Sequence, residues 1–262
     1  MNYIIKQFNR SRSQGYALIL TFFVLWELIS RLNMVDTNYL PPVTVIAGNV
    51  YRLVASFEII HHLTVTLKRV MLGYLLGGGV GYFLGFLCGY FPRIYSLLEL
   101  SIEYLRPMPS IALIPIGILF LGLGDLLNIV IIGWACSWPV FINTMDGVRS
   151  TDAVLLNTAR TFGLDRLQII MKVIIPFSVP FAFTGLRIGL GIAIAVVIIT
   201  EMVASGNGLG FFIMNTSISF RVPEMYAAII VVGFLGYILN RFFLWIDRHV
   251  LSWHKGLFCQ LD

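Results

Sequence analysis

VMLGYLLGGGVGYFLGFLCGYF, residues 70–91, runs for 22 positions without an Asp, Glu, Lys, Arg or His. About 18 consecutive apolar residues suffice to cross a bilayer as a helix, and this stretch exceeds that length. It is not alone. Residues 126–145 are also uncharged, as are residues 107–124, although Pro109 and Pro115 interrupt the latter. The whole chain of 262 residues is 58% hydrophobic and 12% charged, with a mean hydropathy of +0.87; a soluble domain carries about twice that charged fraction. The fold class is therefore an all-α polytopic membrane protein.

Six spans are expected, at about 16–33, 70–90, 107–124, 126–146, 180–204 and 225–245, which puts both termini on one side. Assigning each Lys and Arg to its connection places thirteen on the terminal side and five, Arg31, Arg52, Lys68, Arg69 and Arg221, on the other. Positive residues accumulate on the cytoplasmic side, so both termini are expected there, in a cell membrane. The same scatter explains the net charge of +5 and the pI near 9.2 without a nucleic-acid partner. Lys6, Arg10 and Arg12 precede the first apolar run in the manner of a signal peptide, but no small-residue cleavage site follows, which argues for a retained anchor. The three cysteines imply no disulfide framework, since Cys88 and Cys136 fall within apolar runs. With no linker or low-complexity tract, residues 1–262 read as a single membrane domain: an anchor helix at about 16–33, a core at about 64–245, and a polar hairpin at about 151–176.

Within the opening stretch, Gly73, Gly77, Gly81, Gly85 and Gly89 recur every four residues. Small residues at that spacing let a neighbouring helix approach closely, where dispersion contacts replace the missing hydrophobic drive. Outside the spans, residues 36–69 read as a Leu40-Pro41-Pro42 turn and then an interfacial helix capped near Thr44. Gly206, Gly208 and Gly210 mark a tight turn after the fifth span.

The longest polar interlude is NTARTFGLDRLQIIMKVIIPFSVP, residues 157–180. Thr151 or Asp152 is placed to cap a helix through AVLLNTARTF, and Gly163 suits a left-handed helix end. Asp165 then caps a second helix in which Leu167, Ile170, Met171 and Ile174 form one apolar stripe. Pro176 and Pro180 are expected to break the backbone before the fifth span.

That spacing resembles the signature of ABC-type import permeases: Glu-Ala-Ala, three residues, Gly, nine residues, then Ile-x-Leu-Pro. Here Asn157, Thr158 and Ala159 take the first places, Gly163 falls at the right interval, and Val173-Ile174-Ile175-Pro176 closes the pattern. LRPMPSIALIPIGILFLGLGD from Leu105, INTMDGVRS ending at Ser150, TGLRIGLG from Thr184, EMVASGNGLG from Glu201 and SWH ending at His254 look like the nitrate, sulfonate, taurine and bicarbonate branch of that family. The resemblance implies a type I importer fold whose hairpin, through Asn157, Thr158, Ala159, Arg160, Gly163, Leu164 and Pro176, couples to a cytoplasmic ATPase. It implies two ATPase subunits, a second permease copy or homologue, and an extracytoplasmic solute-binding protein. ATP and Mg would be bound by the ATPase, with no cofactor in this chain. Asn157 stands where the family usually has a glutamate, so it offers hydrogen bonds but no net charge.

Other chemistry is sparse. None of Lys6, Lys68, Lys172 or Lys255 follows a glycine as a phosphate-binding loop requires. His61 and His62 are adjacent, and His249 and His254 are five apart, so neither pair shares a helical face for a metal. Arg187 and Glu201 are ionisable groups at membrane depth, which cost at least about 2.5 kcal/mol by insertion scales; both are candidates for a translocation pathway, and pairing within the bundle is open for Glu201. An ion-coupled carrier would show internal repeats around a midplane site, and an intramembrane hydrolase a nucleophile and base. A non-transport scaffold is the remaining alternative.

Overall fold

The computed structural model describes residues 2–252, with side chains from residue 17 onward. The side chains of Lys6, Arg10 and Arg12, and Trp253, His254 and Lys255, lie outside the described residues. All regular structure among the described residues is helical: α1 Asn2–Arg31, α2 Val43–Ala55, α3 Glu58–Tyr90, α4 Pro92–Leu105, a short 3-10 turn Ser110–Leu113, α5 Ile114–Leu121, α6 Asp125–Arg149, α7 Ala153–Thr161, α8 Arg166–Ile169, a π turn Ile170–Ile174, α9 Ile175–Ala204, α10 Leu209–Ile218 and α11 Val222–Val250.

Among the described residues four helices have the length and hydropathy to cross a membrane: α3, α6, the continuous Arg166–Ala204 helix, and α11. The span expected at 107–124 is not one straight rod. Pro107 and Pro109 interrupt the helix between α4 and the Ser110–Leu121 segment, and the two meet at a bend of 88°; proline removes a donor and restricts its predecessor to extended backbone. The first expected span, about 16–33, overlaps the second half of α1 and runs past its end at Arg31. Residues 36–69 also differ from expectation, because their last third already belongs to α3, split from α2 by Phe57 in a left-handed conformation at φ 61°.

The chain divides into two compact units, residues Met1–His61 with Phe212–Val231, and His62–Phe211 with Val232–Asp262. In the first, Thr44 is not the cap of α2. The N-cap is Pro42, whose ring carries no acceptor, and α1 supplies the acceptor instead: the Thr44 amide and hydroxyl donate to the two Glu27 oxygens at 3.2 and 2.9 Å. Glu27 is held in turn by Arg31 one turn later, at 2.6 Å. The Leu40-Pro41-Pro42 turn is tied to α1 by Ser30, whose hydroxyl donates to the Leu40 carbonyl, and by the Trp26 indole, which donates to that of Pro41.

The second unit is organised by the glycine ridge. A Cβ on Gly77 would run into the backbone of Gly133, one on Gly81 into Ser137, one on Gly85 into Phe141, and those on Gly73 and Gly89 into Ile132 and Val148. The neighbour is therefore α6 of the same chain, at near backbone-to-backbone distance. α9 packs on α6 in similar fashion, with Gly185 against Pro139 and Val140 and the Cys136 thiol donating to the Gly189 carbonyl at 3.3 Å. Tyr74 links α3 to α9 through a hydrogen bond to the Leu186 carbonyl.

Gly79 has open space around it, which makes it the control for the ridge. Overpacking costs about 1–3 kcal/mol, so Gly77→Ala should lower the thermal unfolding midpoint of the detergent-solubilised protein by several degrees, whereas Gly79→Ala should leave it in place. Equal midpoints for the two variants would separate α3 from α6.

Candidate functional site

Two places concentrate polar chemistry: the hairpin after α6 and a buried ion cluster in the same compact unit. In the hairpin, Asp152 caps α7 by accepting from the Val154 amide at 2.8 Å. Gly163 takes φ 75°, its amide donates to Arg160, and the Leu164 amide reaches back to the Ala159 carbonyl. Those two bonds are the reciprocal pair of a Schellman end, which satisfies carbonyls that would otherwise lack partners. Asp165 and Gln168 then form a reciprocal capping box at the start of α8. Three polar side chains and one glycine thus define a turn between two helices.

Beyond the turn the backbone does something the prolines do not suggest. Residues 166–204 form one continuous helical run, with the π turn Ile170–Ile174 immediately before Pro176, and Pro180 inside α9. A π turn widens the helix by a residue, which accommodates a ring that would clash with a carbonyl one turn back. The second arm of the hairpin is therefore continuous with the fifth expected span, which it extends at its N-terminal side, and is not a separate helix. Its expected apolar stripe is buried only in part: Ile174 is buried, but Leu167 is 68% exposed and Met171 59%. Asn157, Thr158, Arg160 and Gly163 are exposed, Leu164 and Pro176 half-buried, and Ala159 buried. Asn157 accepts from the Arg160 guanidinium at 3.1 Å.

The buried cluster centres on Arg69, whose side chain is 2% exposed. A guanidinium has five N–H donors, and all are used. Nε and Nη2 donate to Asp125 Oδ1 at 2.8 and 2.6 Å, Nη1 to Glu201 Oε1 and the Asn207 carbonyl at 2.9 Å each, and Nη2 also to Asn207 Oδ1 at 2.6 Å. Glu201, fully buried, is completed by the Thr66 hydroxyl and the Gly210 amide. The Leu209 amide donates to Thr66 and the Gly208 amide to His62 Nδ1. Gly208, at φ 106°, has its missing Cβ directed at the Glu201 carboxylate. Arg69, which sequence reasoning took as a cation of a connection, and His62 are thus structural partners of the glycine turn. The available signal was Glu201 itself: a carboxylate within a span requires a counter-ion, and Arg69 is a cation at the matching end of a neighbouring span.

Arg187 does not join this cluster. It is exposed on α9 and, at the usual rise, stands about 21 Å along the helix from Glu201. Among the described residues no group of three metal-ligating side chains converges.

Removing one partner of a buried pair strands the other, at about 3–5 kcal/mol. Arg69→Met should therefore destabilise the protein severely, and Arg69→Lys should rescue little, because an ammonium cannot reproduce the fork. Adding Glu201→Gln to Arg69→Met should recover part of the loss. Additive effects in that thermal-melt cycle would mean the two side chains do not interact.

A family model described as the binding-protein-dependent transport system inner membrane component matches residues 81–252. A Bacillus subtilis (strain 168) permease protein, SsuC, named for aliphatic sulfonates transport, is 33% identical over 93% of this chain and 88% of its own length. The taurine transport system permease protein TauC of Escherichia coli (strain K12) is 29% identical over 94% and 91%. The bicarbonate transport system permease protein CmpB of Synechococcus elongatus is 32% identical over 71% and 67%. Among solved structures, an inward-facing MetNI methionine ABC transporter superposes with a TM-score of 0.56 at 20% identity, covering 80% of this chain and 98% of that one. With the helical fold and the capped hairpin beside them, these matches show that the chain belongs to the binding-protein-dependent transport system inner membrane component family.

Proposed function

We propose that this permease forms half of the pathway of an ATP-driven importer for a small polar or anionic solute, and that the hairpin at about 151–176 docks the ATPase. The observation that carries the coupling role is the exposed apolar surface of a rigid turn: Phe162 is 79% and Leu167 68% exposed beside a Schellman end and a capping box. Apolar side chains held outward on a doubly capped hairpin fit a groove in another protein. Its second arm runs without interruption into α9, so a displacement of the docked turn would reach the span as rigid-body motion. ATP and Mg would be bound by the two ATPase subunits, a second permease copy or homologue would complete the pathway, and an extracytoplasmic binding protein would deliver the solute. Relatives named for sulfonates, taurine and bicarbonate support an anionic or zwitterionic cargo. Arg187, exposed on α9, is the side chain proposed to meet it.

The hairpin assignment is tested by Gly163→Val. A β-branched residue at φ 75° stores about 1–3 kcal/mol of strain. Membrane insertion and dimer yield should be retained, while ATPase co-purification and transport in proteoliposomes should drop. Unchanged docking together with unchanged transport would remove the coupling role.

Orientation is tested separately. Thr161 and Ser217 are both exposed, and single cysteines at the two positions should react with an impermeant thiol reagent from opposite faces: Thr161→Cys only after the membrane is opened, Ser217→Cys in intact cells. Labelling of Thr161→Cys from outside would invert the topology.

A further inference from the structure

Two cavities meet between α4 and α6, and their chemistry differs. The first, about 250 Å³, is lined almost entirely by apolar groups, among them Leu84, Leu98, Trp134, Trp138 and Phe141. The second, about 780 Å³ and more polar, is lined by Tyr95, Glu103, Arg106, Asp146 and Arg149 among others. Ile102 and Phe141 line both. The arrangement is an apolar slot opening into a mouth that carries two guanidiniums. Arg149 lies over the Tyr95 ring at 3.9 Å, which fixes its direction. Glu103 and Asp146 share the mouth, yet among the described residues neither Arg106 nor Arg149 has a carboxylate at ion-pair distance. Arg149 Nη2 donates to the Cys88 carbonyl at 3.4 Å, which leaves its remaining N–H groups, and the charge of both guanidiniums, for a ligand.

The depth of the slot suits a lipid tail. Along α6, Phe141 and Trp134 precede Arg149 by about 12 and 22 Å at the usual rise, and one leaflet's hydrocarbon is about 15 Å thick. Arg149 lies at the end of α6 and Arg106 just beyond α4, as C-cap residue, where a headgroup would lie. The Nε1 groups of Trp134 and Trp138 are buried without an acceptor among the described residues, and an ester carbonyl is an acceptor. α4 itself turns Leu97 and Leu100 outward, at 82% and 80% exposure, as a helix bordering lipid does.

We propose that the α4–α6 cleft is a site for an anionic phospholipid, with the phosphate between Arg106 and Arg149 and one acyl chain in the apolar slot. Basic pockets at the ends of membrane helices recognise such headgroups by charge, while the slot supplies affinity by apolar burial. A lipid bound there would brace the bent α4–α5 segment against α6.

The test is thermal unfolding of the full-length protein in mixed micelles, with phosphatidylglycerol or phosphatidylcholine of the same acyl chains added. Phosphatidylglycerol should raise the midpoint by several degrees and phosphatidylcholine should not. The shift should vanish in Arg106→Gln/Arg149→Gln and persist in Arg93→Gln, which changes a residue outside the cleft. Arg149 packs on Tyr95, so the double variant risks misfolding; Arg106→Glu, a change at an exposed position, serves as the second variant and should at least halve the shift. An equal response to both lipids, or a full phosphatidylglycerol shift in Arg106→Glu, would overturn the proposal. A short water-soluble alkylsulfonate that reproduces the shift would also overturn it, by assigning the cleft to a soluble anion.

Discussion

The guanidinium of Arg69 is the constraint on which its compact unit depends. An ionised side chain taken from water costs several kcal/mol even after relaxation, and Arg69 recovers that cost only by directing every donor to an oxygen. Those oxygens belong to the start of α6, the end of α9 and the turn before α10. None of the three can move far without leaving a charge or a donor unmatched in a medium of low dielectric. Asp125 is the one partner with substantial exposure, at 47%, and it also lies 3.8 Å from Lys68. The α6 branch of the cluster is therefore the one that water can reach and screen.

The hairpin is rigid for a different reason. Its turn has no large core, and its order comes from local hydrogen bonds that close both helix ends. Such bonds act over one or two residues, so the turn keeps its shape whatever the surrounding apolar side chains do. The outward positions of Val154, Phe162 and Leu167 then require no internal packing. The π turn carries this order into α9, because the prolines that would end an ordinary helix are met by a backbone already widened.

What the sequence made legible follows the range of each interaction. The uncharged runs located α3 and α6, and the Asp152, Gly163 and Asp165 signals located two helix starts and the turn between them, since caps and left-handed turns are local. The bend between α4 and α5 was less visible: Pro107 and Pro109 interrupt a run whose composition alone reads as one span. Glu27 capping α2 was not visible, because Thr44 is the better local candidate and the true acceptor lies 17 residues away. Arg69 was misplaced for a similar reason. Beside Lys68 and a run of polar residues it reads as a connection, and only α3 beginning at Glu58 puts it inside a helix.

The glycine ridge has a further consequence. Its steps of four residues are matched on α6 by Gly133, Ser137, Phe141 and Met145, which also recur every four. Sliding α3 along α6 by about 6 Å, four residues at the usual rise, again brings a glycine to four of the five close contacts. Steric fit at the ridge therefore does not distinguish between these alignments; it permits several. Arg69 breaks the degeneracy, since its partners exist at a single level of the bundle. The smooth seam lets the helices approach, and one ionic pin at its end decides where along it they stop.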